Sequence, residues 1–181
     1  FLNDPDNVIL RPKFNSYDQA LSRLSFVSLL GLPVTLGDNL PDLPEDRVEL
    51  LRRGIPALVT HPMDIRTTVH DLRVVKANLA VNKPFGQWNV VDVFNLMAEE
   101  TEVEVDLYAD LHLPLEEGPY LVYDYWNQEF VGEIQSSFNA ALQPYASRVY
   151  AVHPKLARPQ VISTSRHLSQ GAVDLVELDW D

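Results

Sequence analysis

The apolar residues of this chain change period once, from helical to alternating, near His61-Pro62-Met63-Asp64. A helix-bearing part must therefore join a β-sheet part, and no all-α or all-β architecture accommodates both. Upstream, Ser16-Tyr17-Asp18-Gln19 has the form of a capping box. Tyr17, Leu21 and Leu24 follow on one face, and Phe26, Val27, Leu29 and Leu30 run into Gly31, which predicts a helix buried toward its C-terminus. Asp42-Leu43-Pro44-Glu45 predicts a second helix with an acidic N-cap, a stripe of Val48, Leu51 and Ile55, and a stop at Gly54 and Pro56. Between them, Leu32-Pro33-Val34-Thr35-Leu36 closes on Gly37-Asp38-Asn39 and reads as a buried parallel strand.

Downstream, Glu102-Val103-Glu104-Val105-Asp106-Leu107 is apolar at every second position, the mark of a strand with one wet face. Further strands are expected at 87–96, 120–126, 129–134, 148–152, 160–164 and 172–180, with one or two more in 66–81. About eight strands without a convincing helix predict an antiparallel β-sandwich. The expected organisation is α+β, with domains at 1–62 and 63–181 packed directly on each other.

Charge narrows the partners. With 26 acidic and 14 basic residues the net charge is −12, a surface that repels nucleic acid and anionic membranes. No apolar run reaches the roughly 18 residues of a spanning helix. Zero cysteines removes disulfides, thiolate catalysis and cysteine-ligated zinc.

Several residues have the chemistry of a site. In Asn3-Asp4-Pro5-Asp6 the two carboxylates, two positions apart, would point the same way in an extended segment. Such a pair suits glycoside hydrolysis, and it is also ordinary turn composition. Gly37-Asp38-Asn39 lies where an active-site loop would follow a parallel strand, or simply leads into the next helix. The five histidines, His61, His70, His112, His153 and His167, lack metal-site spacing. His167 sits in the most polar surroundings and is expected to hold a turn between two strands, with catalysis as the alternative. Trp88, Trp126 and Trp180 are either a sugar-stacking platform or core partners. The acidic run from Glu99 to Asp106 reads as a solvated strand face.

The order of these features resembles the end of the catalytic barrel in α-galactosidase (melibiase) type glycoside hydrolases. The features are Asn3-Asp4-Pro5-Asp6, a helix ending in Leu29-Leu30-Gly31-Leu32-Pro33, a short strand into Gly37-Asp38-Asn39-Leu40, and Leu43-Pro44-Glu45 opening a helix. The resemblance implies a terminal fragment of a (β/α)8 barrel followed by an antiparallel β-sandwich. It implies retaining hydrolysis of an α-linked sugar without metal or organic cofactor. Asp6 would lie at the floor of the sugar pocket, with Asn3 and Asp4 supporting it and Asp38 on the neighbouring loop.

Leu2 stands where the family usually has Trp, and Gly37 where it usually has Ser. The family's nucleophile and acid/base lie on strands before the Asn-Asp-Pro-Asp segment. A chain that opens on Phe1 is therefore expected to be the tail of a longer protein and inactive alone, its partners a carbohydrate and the missing barrel. The alternative is a non-catalytic β-sandwich that binds carbohydrate or serves as an interaction module.

Overall fold

The computed structural model describes residues 6–58, 64–68 and 71–179. The N-terminal part contains β1 (Asn7–Val8), α1 (Tyr17–Leu29), β2 (Thr35–Leu36), a 3-10 turn (Leu40–Asp42) and α2 (Glu45–Gly54). β1 and β2 pair in parallel, Asn7 with Thr35 and Val8 with Leu36, so β1, α1 and β2 form a βαβ unit.

The capping box predicted for α1 is present. Gln19 N donates to Ser16 Oγ at 3.1 Å, and Ser16 N donates to Gln19 Oε1 at 2.9 Å. The helix stops because Gly31 takes φ 66°, which lets Leu32 N reach Val27 O at 3.0 Å and Gly31 N reach Ser28 O at 3.3 Å. This Schellman closure satisfies carbonyls that the helix end would otherwise orphan.

α2 differs in detail from its prediction. Pro44, not Asp42, is the N-cap, and Asp42 belongs to the preceding 3-10 turn. The buried face is Leu50, Leu51 and Gly54, whereas Ile55 is 46% exposed. Gly54 is where the helices cross: a Cβ there would lie 2.6 Å from Leu24 Cγ.

The rest of the chain carries β3 (Asp64–Thr68), β4 (Asp71–Lys83), β5 (Gly86–Asn95), β6 (Thr101–Asp106), β7 (Tyr120–Asp124), β8 (Glu129–Ile134), β9 (Ser137–Leu142) and β10 (Ser147–Pro154). Six strands form one antiparallel sheet in the order β3-β4-β5-β10-β7-β8, and β6 pairs with β9 in a second. Val91, Val93, Val105, Leu107, Tyr120, Val122, Phe138 and Ala140 fill the space between the sheets. This is the expected sandwich. Two expectations fail: 160–164 and the described part of 172–180 form no strand, while β9 was not foreseen.

The opposite face of the large sheet is covered by the N-terminal part. Leu29 and Leu58 join Leu79, Trp88, Val90, Val149, Ala151 and the later Leu168, and Leu30 joins Val75, Ala77 and Phe94. Val8, Leu10, Ala20, Leu21, Leu24, Leu50 and Leu51 form a separate core inside the βαβ–α2 unit. Burial on both faces explains why β5 is buried without interruption from Trp88 to Asn95. The expected domain boundary lies largely outside the described residues. Among the described residues no helix is long and apolar enough to cross a membrane.

Candidate functional site

Asp38 follows β2 by two residues, and its side chain is only 1% exposed. One carboxylate oxygen accepts from Leu10 N at 2.5 Å and Arg11 N at 3.3 Å. The other accepts from Arg11 Nη1 at 2.6 Å, and that nitrogen also donates to Gly37 O at 2.9 Å. Gly37 N in turn donates to Val8 O at 2.9 Å. The exit of β1 and the exit of β2 are thus tied by a charge-assisted network centred on one buried carboxylate.

Gly37 permits this close approach. A Cβ at that position would lie 3.0 Å from Asn7 Cβ and 3.2 Å from Ile9 Cγ1. Arg11 is held from its other side by Phe14, whose ring centroid lies 4.7 Å from the guanidinium carbon. Arg11 was not singled out in the sequence, because nothing local marks it as the partner of a residue 27 positions away.

Asp6 is exposed, adopts φ 59°, and immediately precedes β1. The β1–β2 register aligns Leu10, not Asp6, with Asp38. Asp6 precedes β1 and Asp38 follows β2, so the two lie at opposite ends of the parallel pair. Asn3 and Asp4 lie outside the described residues.

Trp88 and Trp126 do not form a stacking platform. Trp88 is 4% exposed and stacks against two rings, His153 at 5.3 Å and 13° and Phe85 at 6.1 Å and 26°, so its indole is buried rather than presented to solvent. Trp126 is half-buried, packs edge-on against Tyr125, and donates from Nε1 to Ser25 Oγ. Trp180 lies outside the described residues.

His167 holds a turn, as expected, but not one between strands, since no strand follows β10 among the described residues. Its Nε2 lies 2.9 Å from Pro56 O, which requires the proton on that nitrogen. Nδ1 is then the acceptor, taking Ser169 Oγ at 2.7 Å and Ser169 N at 3.1 Å. Burial pushes this imidazole below the ordinary histidine value. With Leu168 N donating to Arg53 O at 2.9 Å, it staples the C-terminal segment to the exit of α2. In β6, Glu102 and Glu104 are exposed, the expected wet face. Among the described residues no group of three or more His, Asp or Glu is arranged to hold a metal ion.

No family model and no curated protein matches the sequence. Solved structures do match the fold. A GH27 β-L-arabinopyranosidase from Geobacillus stearothermophilus, in complex with arabinose, superposes with a TM-score of 0.68 at 19% identity, over 84% of this chain and 37% of that one. α-Galactosidase I from Mortierella vinacea gives 0.66 at 14% identity, over 83% and 39% respectively. The α-galactosidase from Saccharomyces cerevisiae with raffinose gives 0.64 at 11% identity, over 84% and 47%. The chain has the fold of part of these glycosidases and spans less than half of each.

Proposed function

We propose that this chain is the C-terminal portion of a retaining, α-galactosidase-like glycoside hydrolase acting on an α-linked sugar. Residues 1–62 would be the end of its (β/α)8 barrel and 63–181 its β-sandwich. The observation that carries the reading is the parallel β1–α1–β2 unit packed on an antiparallel sandwich. Supporting it, a GH27 glycosidase structure superposes on 84% of this chain but only 37% of its own length.

Retaining hydrolysis needs two carboxylates about 5 Å apart, one attacking the anomeric carbon and one moving the proton. In this proposal both come from barrel strands preceding Phe1. Asp6, exposed at the start of β1, is the residue of this chain that meets the sugar, with Asn3 and Asp4 beside it. Asp38, already committed to Leu10 and Arg11, would contribute by fixing the loop after β2.

The test compares the isolated chain with a polypeptide extended at its N-terminus by the catalytic barrel that this proposal requires. Aryl α-galactosides and β-L-arabinopyranosides should be turned over only by the extended form. Asp6→Asn in that form should lower kcat/KM by at least about tenfold, the loss of one hydrogen bond to the sugar. Turnover by the isolated chain, or an Asp6→Asn variant as active as its parent, overturns the proposal.

A further inference from the structure

A cavity of about 260 Å³ opens on the sandwich between the β4–β5 turn, the end of β10 and the C-terminal segment. It is built by other elements than those carrying Asp6 and Asp38. Its lining includes Phe85, Trp88, His153, Arg158, Gln170 and Leu175.

Three of these are more than nine-tenths buried: Gln170 at 2%, Trp88 at 4% and His153 at 7% exposure. Each leaves one buried nitrogen without a hydrogen-bond partner: Gln170 Nε2, Trp88 Nε1 and His153 Nε2. Three such orphans on residues lining one cavity are unusual, because buried polar groups in folded proteins are nearly always paired.

Their orientations are set by neighbours. Ser163 Oγ donates to Gln170 Oε1 at 2.8 Å, which leaves the amide NH2 unused. The indole stacks against Phe85 and His153. Gly171, at φ 110°, brings the C-terminal segment against it, since a Cβ there would lie 3.4 Å from Trp88 Cζ2 and 3.1 Å from Leu175 Cδ1. Burial holds the His153 imidazole neutral, its pKa pushed down to about 4, and the Ile162 backbone engages the ring. Nε2 is thus the nitrogen left with a lone pair.

Two donors and one acceptor define the missing group. A hydroxyl oxygen can accept from Trp88 and Gln170 and donate to His153. A carboxylate has no proton for the imidazole, and an ammonium has no lone pair for the two donors. Phe85 and Leu175 supply the apolar wall that the carbon face of a ring needs. Arg158, exposed and without a carboxylate partner among the described residues, offers further donors at the rim. The volume lies just below the range of drug-sized pockets and suits one small ring.

We propose that this cavity is a binding site for a single polyhydroxylated ring, of monosaccharide size, anchored by one hydroxyl on Trp88, Gln170 and His153. Small adjustments of these side chains admit the hydroxyl, and a rotation of Arg158 closes over the ring.

Ligand-observed NMR of the isolated chain with D-galactose and L-arabinose tests this, with indole fluorescence as a second readout. Saturable binding of either sugar is expected. Trp88→Phe, which keeps one aromatic ring but removes the N–H together with the second fused ring, should weaken it about tenfold or more, the loss of one hydrogen bond and some packing. Arg158→Ala, at an exposed position that cannot disturb the fold, should weaken it severalfold. The proposal is overturned if neither sugar binds, if both variants bind like the parent, or if a sugar-soaked crystal shows only ordered water between the three nitrogens.

Discussion

Trp126 Nε1 donates to Ser25 Oγ at 3.1 Å, a bond that spans 101 positions and joins the turn between β7 and β8 to the buried face of α1. Ser25 is fully buried. The indole packs against both the core beneath the large sheet and the core around α1. This tryptophan therefore docks the helical part onto the sandwich, which removes it from the sugar-binding candidates.

Ser25→Ala should cost about 1 kcal/mol by orphaning the indole N–H, and Trp126→Ala about 3 kcal/mol, because it also removes packing. Urea denaturation of the singles and the double should show a cost for the pair below the sum of the two. Strict additivity would mean that the bond does not couple the two parts.

At the β1–β2 exit the two partners of one ion pair should respond unequally. Asp38 is 1% exposed and satisfies two backbone N–H groups as well as Arg11, so Asp38→Ala should cost about 3 kcal/mol. Arg11 is 38% exposed, and solvent screening limits Arg11→Met to about 1 kcal/mol. Equal effects in chemical denaturation would contradict the role assigned to Asp38.

Gly54→Ala sets helix propensity against packing. Alanine gains up to about 1 kcal/mol in a helix, but its Cβ would lie 2.6 Å from Leu24 Cγ, at a buried helix crossing. Overpacking of this kind costs about 1–3 kcal/mol, so a net lowering of Tm is expected. Adding Leu24→Val should recover part of the loss, and a Gly54→Ala variant that melts higher than the parent would refute the close contact.

Stability should fall on both acidification and alkalinisation, for separable reasons. Burial depresses His153 from 6.5 to about 4, so its contribution is complete above pH 6.5 and is lost as pH falls through about 4. The loss approaches about 3 kcal/mol, because the unfolded state takes up the proton first. His167, also depressed by burial, adds to the same limb.

Asp92 acts in the opposite direction. It lies on β5 opposite Val149, fully buried, with neither oxygen in a hydrogen bond. Burial raises its pKa well above 3.8, and the Ser147 hydroxyl, near but not aligned, offsets this only in part. Its contribution is complete below pH 3.8 and declines as pH rises toward its folded value. Denaturation from pH 3 to 9 should show Asp92→Asn flattening the upper limb and His153→Gln the lower one, each leaving the other limb in place.

What the sequence by itself determined is local. The capping box at Ser16 and Gln19, the Gly31 stop and the alternation of β6 each rest on residues within a few positions of one another. Such interactions are written in adjacent letters. Tertiary structure decided the partners. Ser137–Leu142 became β9 because β6 needed a neighbour across its backbone hydrogen bonds, and pairing with β6 buries Phe138, Ala140 and Leu142 while Asn139 and Ala141 face outward.

The segments at 160–164 and beyond 172 have strand-like composition but find no free ladder, and side-chain bonds such as Ser163 to Gln170 hold the chain there instead. The same distinction separates the two acidic motifs. The residue types of Asp6 and Asp38 were legible, but a parallel register places Arg11 beside Asp38 and leaves Asp6 at the other end of the strand pair. Register is set by the burial of Val8, Leu10 and Leu24 together, and their meeting is a property of the folded chain alone.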